Sequence, residues 1–264
     1  MKFTKMHGLG NDYLYVFGEV PANIADLSRR LSDRHFGAGS DGMIYISPSE
    51  IADFKMRIFN ADGSEAKMCG NGIRCVGKYV FDRGYTDKTV LKIETLSGIK
   101  TLSLNVTDGK VKTVTVDMGR AAVSEETRLD VGGVVMKCTP VSVGNPHAVF
   151  FTPNAEAVPL VSIGSVIEHH DLFPDGVNAE FVQIISPTEL RMRVWERGSG
   201  ITMACGTGAC ASVSAAVKNG FCPADTPITV RLDGGALTIT VGSDYTVTMT
   251  GPAETVYEGE TDLC

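Results

Sequence analysis

None of the 7 cysteines stands in a C-x-x-C pair, which excludes the spacing of zinc ribbons and of thioredoxin-like redox centres. Their count is odd, and the chain opens Met1-Lys2-Phe3-Thr4-Lys5-Met6-His7-Gly8 without the apolar core of a signal peptide. Both features argue against a disulfide framework and make the cytoplasm the expected location. The 5 histidines include no zincin pattern, and His169 and His170, being adjacent, would point to different sides of a helix, so no metal site is expected. No apolar run approaches about 20 residues, so no membrane span is expected. Lys and Arg total 24 against 31 Asp and Glu, and this balance lacks the basic face that nucleic acid requires. Gly8-Leu9-Gly10 lacks the third glycine of a dinucleotide fingerprint and opens no helix, which excludes nucleotide binding there. Low-complexity segments are missing as well.

What remains is an ordinary globular composition over 264 residues, 43% hydrophobic and 21% charged, enough for two cores. The chain repeats itself. Met56-Arg57-Ile58-Phe59-Asn60 followed by Met68-Cys69-Gly70-Asn71-Gly72 is echoed by Met192-Arg193-Val194-Trp195-Glu196 followed by Ala204-Cys205-Gly206-Thr207-Gly208. The offset is 136 at the arginines (193 − 57) and again at the cysteines (205 − 69), and it persists from Gly84-Tyr85 to Gly220-Phe221. With small gaps, Gly10-Asn11 matches Gly144-Asn145, and the strand-like stretch 114–119 matches 245–251. A period this long is not a solenoid period of roughly 20–50 residues. It predicts two similar domains: 1–118, with the final segment 251–264 packing back on it, and 119–250.

Short, β-branched and often alternating stretches predict strands over 14–17, 43–46, 54–59, 90–94, 111–118, 181–185, 190–195, 228–232, 237–241 and 246–249. Helical spacing of apolar residues predicts helices over 25–35, 71–83 and 207–219, with a weaker one over 163–169. Gly84 and Gly220 stand where a helix C′ glycine belongs. Glycine and alanine dominate 206–216, as suits a helix enclosed by a curved sheet. Each half therefore reads as many strands around one main helix, an α/β (α+β) fold with the cysteine at the helix N-terminus.

Cys-Gly-x-Gly at the start of a helix has a chemical meaning. The first N–H groups have no partner within the helix and carry the positive end of its dipole. Glycines let a ligand approach that backbone, so an α-carboxylate fits there. The same field is expected to lower a nearby thiol's pKa. Two thiols on opposite faces of one carbon can invert a stereocentre, one removing a proton and the other returning one. Such a pair shares its apparent pKa values.

The motifs His7-Gly8-Leu9-Gly10-Asn11-Asp12, Asn60-Ala61-Asp62-Gly63-Ser64, Cys69-Gly70-Asn71-Gly72, Gly144-Asn145-Pro146-His147, Val177-Asn178, Glu196-Arg197-Gly198 and Ala204-Cys205-Gly206-Thr207-Gly208-Ala209 resemble, in order, those of the diaminopimelate epimerase family. The resemblance covers essentially the whole chain. It implies two pseudo-symmetric domains with the site in the cleft between them, and no cofactor or metal. It also implies interconversion of LL- and meso-2,6-diaminopimelate in lysine and peptidoglycan-precursor synthesis. By the same resemblance Cys69 and Cys205 are the acid/base thiols. Gly70, Asn71, Gly206 and Thr207 bind the reacting carboxylate. Asn11, Asn60, Asn145, Asn178, Glu196 and Arg197 contact substrate. His147 and Glu196 influence the protonation of the cysteines. The implied partner is a small molecule, with a homodimer as a candidate assembly and no nucleic-acid or membrane partner. Gly42 stands where some relatives carry glutamine, and Ile201 where glutamate is common.

Alone, many of these residues read more plainly. Asn60 and Asn178 would be turn residues and His147 a core histidine. Asp41, Asp62 and Asp175 precede glycines and read as turn formers. His35 reads as packing or capping its helix end. Cys75, Cys138, Cys210, Cys222 and Cys264 read as structural. An epimerase or racemase of another amino acid on the same two-thiol fold, such as the proline racemase group, is the alternative. A thiol-redox or amino-acid-binding protein is a third reading.

Overall fold

The computed structural model describes residues 1–263, so the expectation for Cys264 lies outside the described residues. The chain divides into two compact units, Met1–Asp117 with Gly251–Cys264, and Met118–Thr250.

The first unit begins with β1 (Lys2–Gly8) and β2 (Asn11–Phe17), then α1 (Ile24–Ser32), β3 (Gly42–Pro48), β4 (Phe54–Asn60) and the short β5 (Glu65–Ala66). It continues with α2 (Gly70–Asp82), β6 (Val90–Thr95), β7 (Gly98–Thr107) and β8 (Lys110–Arg120), the last running past the division. The second unit holds β9 (Ala122–Val123), β10 (Thr127–Val131), β11 (Val134–Ser142), β12 (Pro146–Phe151), α3 (Leu160–Glu168), β13 (Asn178–Ser186) and β14 (Glu189–Glu196). Then come β15 (Gly200–Ile201), α4 (Gly206–Lys218), β16 (Ile228–Leu232), β17 (Gly235–Val241) and β18 (Thr246–Pro252). β18 carries the chain past the division into the first unit, where β19 (Glu254–Glu260) lies antiparallel to β1 with Lys2 opposite Glu260.

The pairing pattern is the same twice. β2 and β3 are parallel across α1, and β12 and β13 are parallel across α3. β3 and β13 turn back antiparallel into β4 and β14. β4 and β6 are parallel across α2, and β14 and β16 across α4. A parallel pair needs a crossover, and the helices supply it.

Strand alternation decides which helix each residue faces. On β2, Leu14 and Val16 join Leu27 and Leu31 of α1 in one apolar cluster, while Tyr15 donates its hydroxyl to Gly72 O of α2 at 3.3 Å. On β12 and β13, Ala148, Phe150, Ala179 and Phe181 pack with Leu160 and Ile167 of α3. The intervening His147, Asn178 and Glu180 are thereby set on the other face. Helix α4 is buried at ten of its positions, from Gly206 to Ala216. Its small side chains fit because strands surround it.

Both main helices end in left-handed glycines, Gly84 and Gly220, each at φ +74°. Tyr85 N bonds Val80 O and Phe221 N bonds Ala216 O, both at 2.9 Å, which is the Schellman closure. Helix α1 stops at Ser32, before His35. The Asp33 carboxylate accepts the His35 and Phe36 N–H groups, each at 2.7 Å, and this turn competes with another helical turn. His35 is exposed and neither packs nor caps with its side chain. Helix α3 starts three residues earlier than expected, directly after Pro159.

Candidate active site: two helix ends capped by cysteine

In the first unit Cys69 is the N-cap of α2. Its backbone is extended (φ −139°, ψ 113°) and its sulfur accepts the Gly72 N–H at 3.3 Å. The thiol donates to Asn11 Oδ1 at 3.3 Å. Asn11 donates its own amide to Asp41 Oδ2 at 2.8 Å, and Asp41 also receives the Asp12 N–H and Arg34. Asp41 is thus more than a turn former. A carboxylate accepts only, so it fixes which way the Asn11 amide points and presents Oδ1 to the sulfur. Tyr13, on the same strand face, has its hydroxyl pushed well up by burial and by the charges of Cys69 and Asp41.

Asn71 turns its side chain inward, where Oδ1 accepts Arg74 Nη1 at 3.0 Å. Arg74 is fully buried and also donates to Gly70 O and Pro252 O. Of Asn71, the backbone is what the helix end offers to a ligand. Asn60 donates to Ser64 Oγ at 3.0 Å within the turn built on Asp62. Gly42 has no room for a side chain: a Cβ there would stand 2.1 Å from Phe59 O.

The second unit builds the same cap with different supports. Cys205 is the N-cap of α4 and accepts the Gly208 N–H at 3.3 Å. Its sulfur lies 3.5 Å from Thr207 Oγ1. Asn145 donates to Thr207 Oγ1 at 3.3 Å and places Oδ1 3.1 Å from His147 Nε2. His147 Nδ1 is 2.7 Å from Glu180 Oε1, and both side chains are fully buried. Glu196 bonds the Thr202 hydroxyl. Burial, followed by the charge of Glu180, holds the Glu196 carboxyl above its usual range.

The expectation that the helix end lowers the thiol pKa does not hold for Cys205. Burial, then the charges of Glu196 and Glu180, push it well up, and the donors on Thr207 and Gly208 do not offset them. Burial, with two carboxylates beside it, outweighs these hydrogen bonds at the sulfur. Burial above all likewise raises Cys75, to about 11, and Cys138, to about 12, where the charge of Glu126 adds to it. Both are buried, as are Cys210 and Cys222.

Asn178 is buried and acts on the backbone: Oδ1 accepts the Arg197 N–H at 2.9 Å and Nδ2 donates to Pro146 O at 3.0 Å. The Arg197 side chain is exposed and donates to Asp175 O at 2.8 Å. Ile201 is exposed on β15, opposite Trp195. Sequence reasoning missed Glu168, Glu180 and Arg74. Glu168 accepts Trp195 Nε1 at 2.7 Å and the Gly198 N–H at 2.8 Å, pinning the turn that carries Arg197. The one visible signal for Glu180 is a lone charge inside the apolar run Ala179-Glu180-Phe181-Val182.

Among the described residues, no group of three or more histidine, cysteine or acidic side chains is arranged to hold a metal ion. No helix among them is long and apolar enough to cross a membrane.

The family model described as diaminopimelate epimerase matches residues 3–124 and 139–256. A diaminopimelate epimerase of Acetivibrio thermocellus is 54% identical, covering 100% of this chain and 99% of that one. One from Methanococcus maripaludis is 50% identical, with 100% of both chains covered. Among solved structures, a probable proline racemase from Agrobacterium radiobacter superposes with a TM-score of 0.77 at 20% identity, over 100% of this chain and 93% of that one. That likeness concerns the fold.

Proposed function

The chain belongs to the diaminopimelate epimerase family, and from that membership we propose that it is an isomerase interconverting LL- and meso-2,6-diaminopimelate. The step would serve lysine and peptidoglycan-precursor synthesis. The observation that carries the reading is the pair of cysteine N-caps, one per unit, on helices α2 and α4.

In the proposed mechanism Cys69 and Cys205 serve opposite faces of one α-carbon. One sulfur, as thiolate, takes the α-proton, and the other, as thiol, returns one. Negative charge developing on the α-carboxylate is met by the N–H groups at the two helix starts, at Gly70, Asn71, Gly206 and Thr207. Burial and the neighbouring carboxylates favour the thiol form of Cys205. Glu196, itself held above the usual carboxylate range by burial, is the nearby group that takes up its proton. A substrate ammonium beside Glu196 would lower the cost of a thiolate there. Asn11, Asn60, Asn145 and Asn178 supply amides to a substrate bearing two ammonium and two carboxylate groups, and the Arg197 fork suits its distal carboxylate.

No cofactor or metal takes part in this scheme. We propose a cytoplasmic enzyme with a small-molecule substrate, no nucleic-acid partner, and a homodimer as its candidate assembly.

The test is proton exchange at the α-carbon in deuterium oxide, with diaminopimelate and a panel of single amino acids including proline. Exchange and inversion confined to diaminopimelate are expected. Faster turnover of proline or another single amino acid would replace this reading with the racemase alternative.

A further inference from the structure

Glu168 stands where a carboxylate is poorly placed. It is the last residue of α3 and is buried, so its charge meets the negative end of the helix dipole and little water. Neither sulfur and no substrate group in the scheme above calls on it. Both of its oxygens are nonetheless occupied, and by one short stretch of chain. Oε2 accepts the Trp195 indole N–H at 2.7 Å and Oε1 the Gly198 N–H at 2.8 Å. Burial works against the charge, yet these two bonds, with the charges of His169 and Arg197, hold the carboxyl below its usual range. The carboxylate is directed at the turn between β14 and β15.

Arg197 lies on that turn, between the two residues that Glu168 holds. The chain that follows α3 makes three further contacts with it. Asn178 Oδ1 accepts the Arg197 N–H at 2.9 Å. Asp175 O accepts the guanidinium Nη1 at 2.8 Å. Gly176 leaves the arginine stem its path, since a Cβ there would stand 2.8 Å from Arg197 Cδ. Backbone, stem and guanidinium of one exposed arginine are thus each held from residues 168–178. The turn needs holding, because Gly198 and Gly200 are both left-handed, at φ +75° and +72°, and glycine has many other conformations open to it. Ordering a loop and a long side chain at the moment of binding costs affinity, and ordering them beforehand removes part of that cost.

We propose that Glu168 is a positioning residue for Arg197, fixing the turn from which the guanidinium reaches a second carboxylate and so setting the affinity for a dicarboxylate substrate. The proposal rests on the reading above in which Arg197 meets the distal carboxylate. A paired guanidinium and carboxylate depend on mutual orientation, which the turn decides. Both Glu168 oxygens are taken up by that turn, so the effect falls on binding rather than on proton transfer.

The test has one arm without substrate and one with it. The first measures ¹⁵N order parameters of the Arg197 and Gly198 backbone amides in the full chain. Glu168→Gln keeps the size of the side chain but offers one acceptor oxygen to two donors. The expected values are about 0.85 in the parent and below about 0.6 in Glu168→Gln. The second arm measures turnover of diaminopimelate. Glu168→Gln should raise KM about tenfold with kcat changed less than about threefold. In an Arg197→Ala background the same substitution should change KM less than about twofold, because the group through which it acts is gone. Trp195→Phe leaves the Gly198 bond in place and should change KM less than about threefold. If Glu168→Gln does not fold, Glu168→Asp, whose shorter arm cannot reach both donors, must give the same split between KM and kcat. Order parameters that stay at the parent value would overturn the proposal. So would an unmoved KM, an equal KM effect with and without Arg197, or as large a rise in Trp195→Phe. A parent inactive on diaminopimelate would count against the epimerase reading alone, and the order parameters would still decide whether Glu168 holds the turn.

Discussion

At the scale of single residues, burial and two neighbouring carboxylates act together at Cys205, whereas pairing is set against burial at Asp12. The proposed chemistry gives each sulfur its own task, so Cys69→Ala and Cys205→Ala should each lower epimerisation by about 10³-fold or more, with the thermal transition near that of the parent. Coupled turnover with diaminopimelate checks this, and near-normal turnover by either variant ends the two-base scheme. Asp12 concerns stability. Burial raises its carboxyl, but hydrogen bonds from Arg34 and Lys5, the latter at 2.8 Å, outweigh burial and hold it below its usual range. A carboxyl lowered on folding adds stability above its unfolded pKa, and that stability is lost as pH falls through the folded value. Asp12→Asn should therefore destabilise the protein by about 2 kcal/mol at neutral pH. The difference from the parent should shrink as pH falls below about 4, since the usual carboxyl value lies near there. Urea unfolding across that range decides it; a difference independent of pH would mean that the pairing does not stabilise the fold.

Elements are positioned by close backbone approaches as much as by apolar stripes. Helix α3 lies so near β14 that a Cβ on Gly164 would stand 2.5 Å from the Trp195 ring. Gly164→Ala must push the indole aside and loosen its bond to Glu168. The expected cost is about 1–3 kcal/mol. Trp195 is the single tryptophan, so its fluorescence reports the movement directly; an unchanged emission maximum with unchanged stability would show that the helix simply lifts. At this scale the sequence was legible where periodicity was strong. Helices α2 and α4 stand within a residue of expectation, because their stripes end in glycines with an unambiguous role. The strands β1, β5, β7, β9, β10, β11, β12, β15 and β19 have no counterpart among the expected stretches. β7 carries Lys100, Ser103 and Asn105 among its apolar residues, and five of the seven residues of β19 in succession are exposed. Edge and half-solvated strands carry little hydrophobic pattern, and their neighbours make them strands.

For the whole molecule, the proposed chemistry calls on side chains and helix ends alone. Exhaustive dialysis with a chelator should leave epimerase activity unchanged, and added pyridoxal phosphate should not raise it. A loss of more than about half, restored by one metal or by the cofactor, would contradict the scheme. The duplication gives each unit the same order of parallel and antiparallel pairs, yet the supports under the two cysteines differ. Asn11 leans on Asp41, an acceptor that never changes. Asn145 leans on His147, and through it on Glu180.

The sequence by itself determined the duplication, the two cysteine-capped helices and the family. These depend on local signals: a glycine after a helix, a cysteine before one, and motifs that survive as words. Only the tertiary structure decided what surrounds the sulfurs. Asp41 reads as a turn residue until its carboxylate is found on Asn11. Glu180 is one charge in an apolar run until strand pairing aligns β12 with β13 and alternation turns it toward α4. The direction of the Cys205 pKa was misjudged for the same reason. A helix terminus is visible in the sequence, whereas burial and the approach of the carboxylates on β13 and β14 to the thiol follow from strand pairing, and electrostatics depends on distance through space.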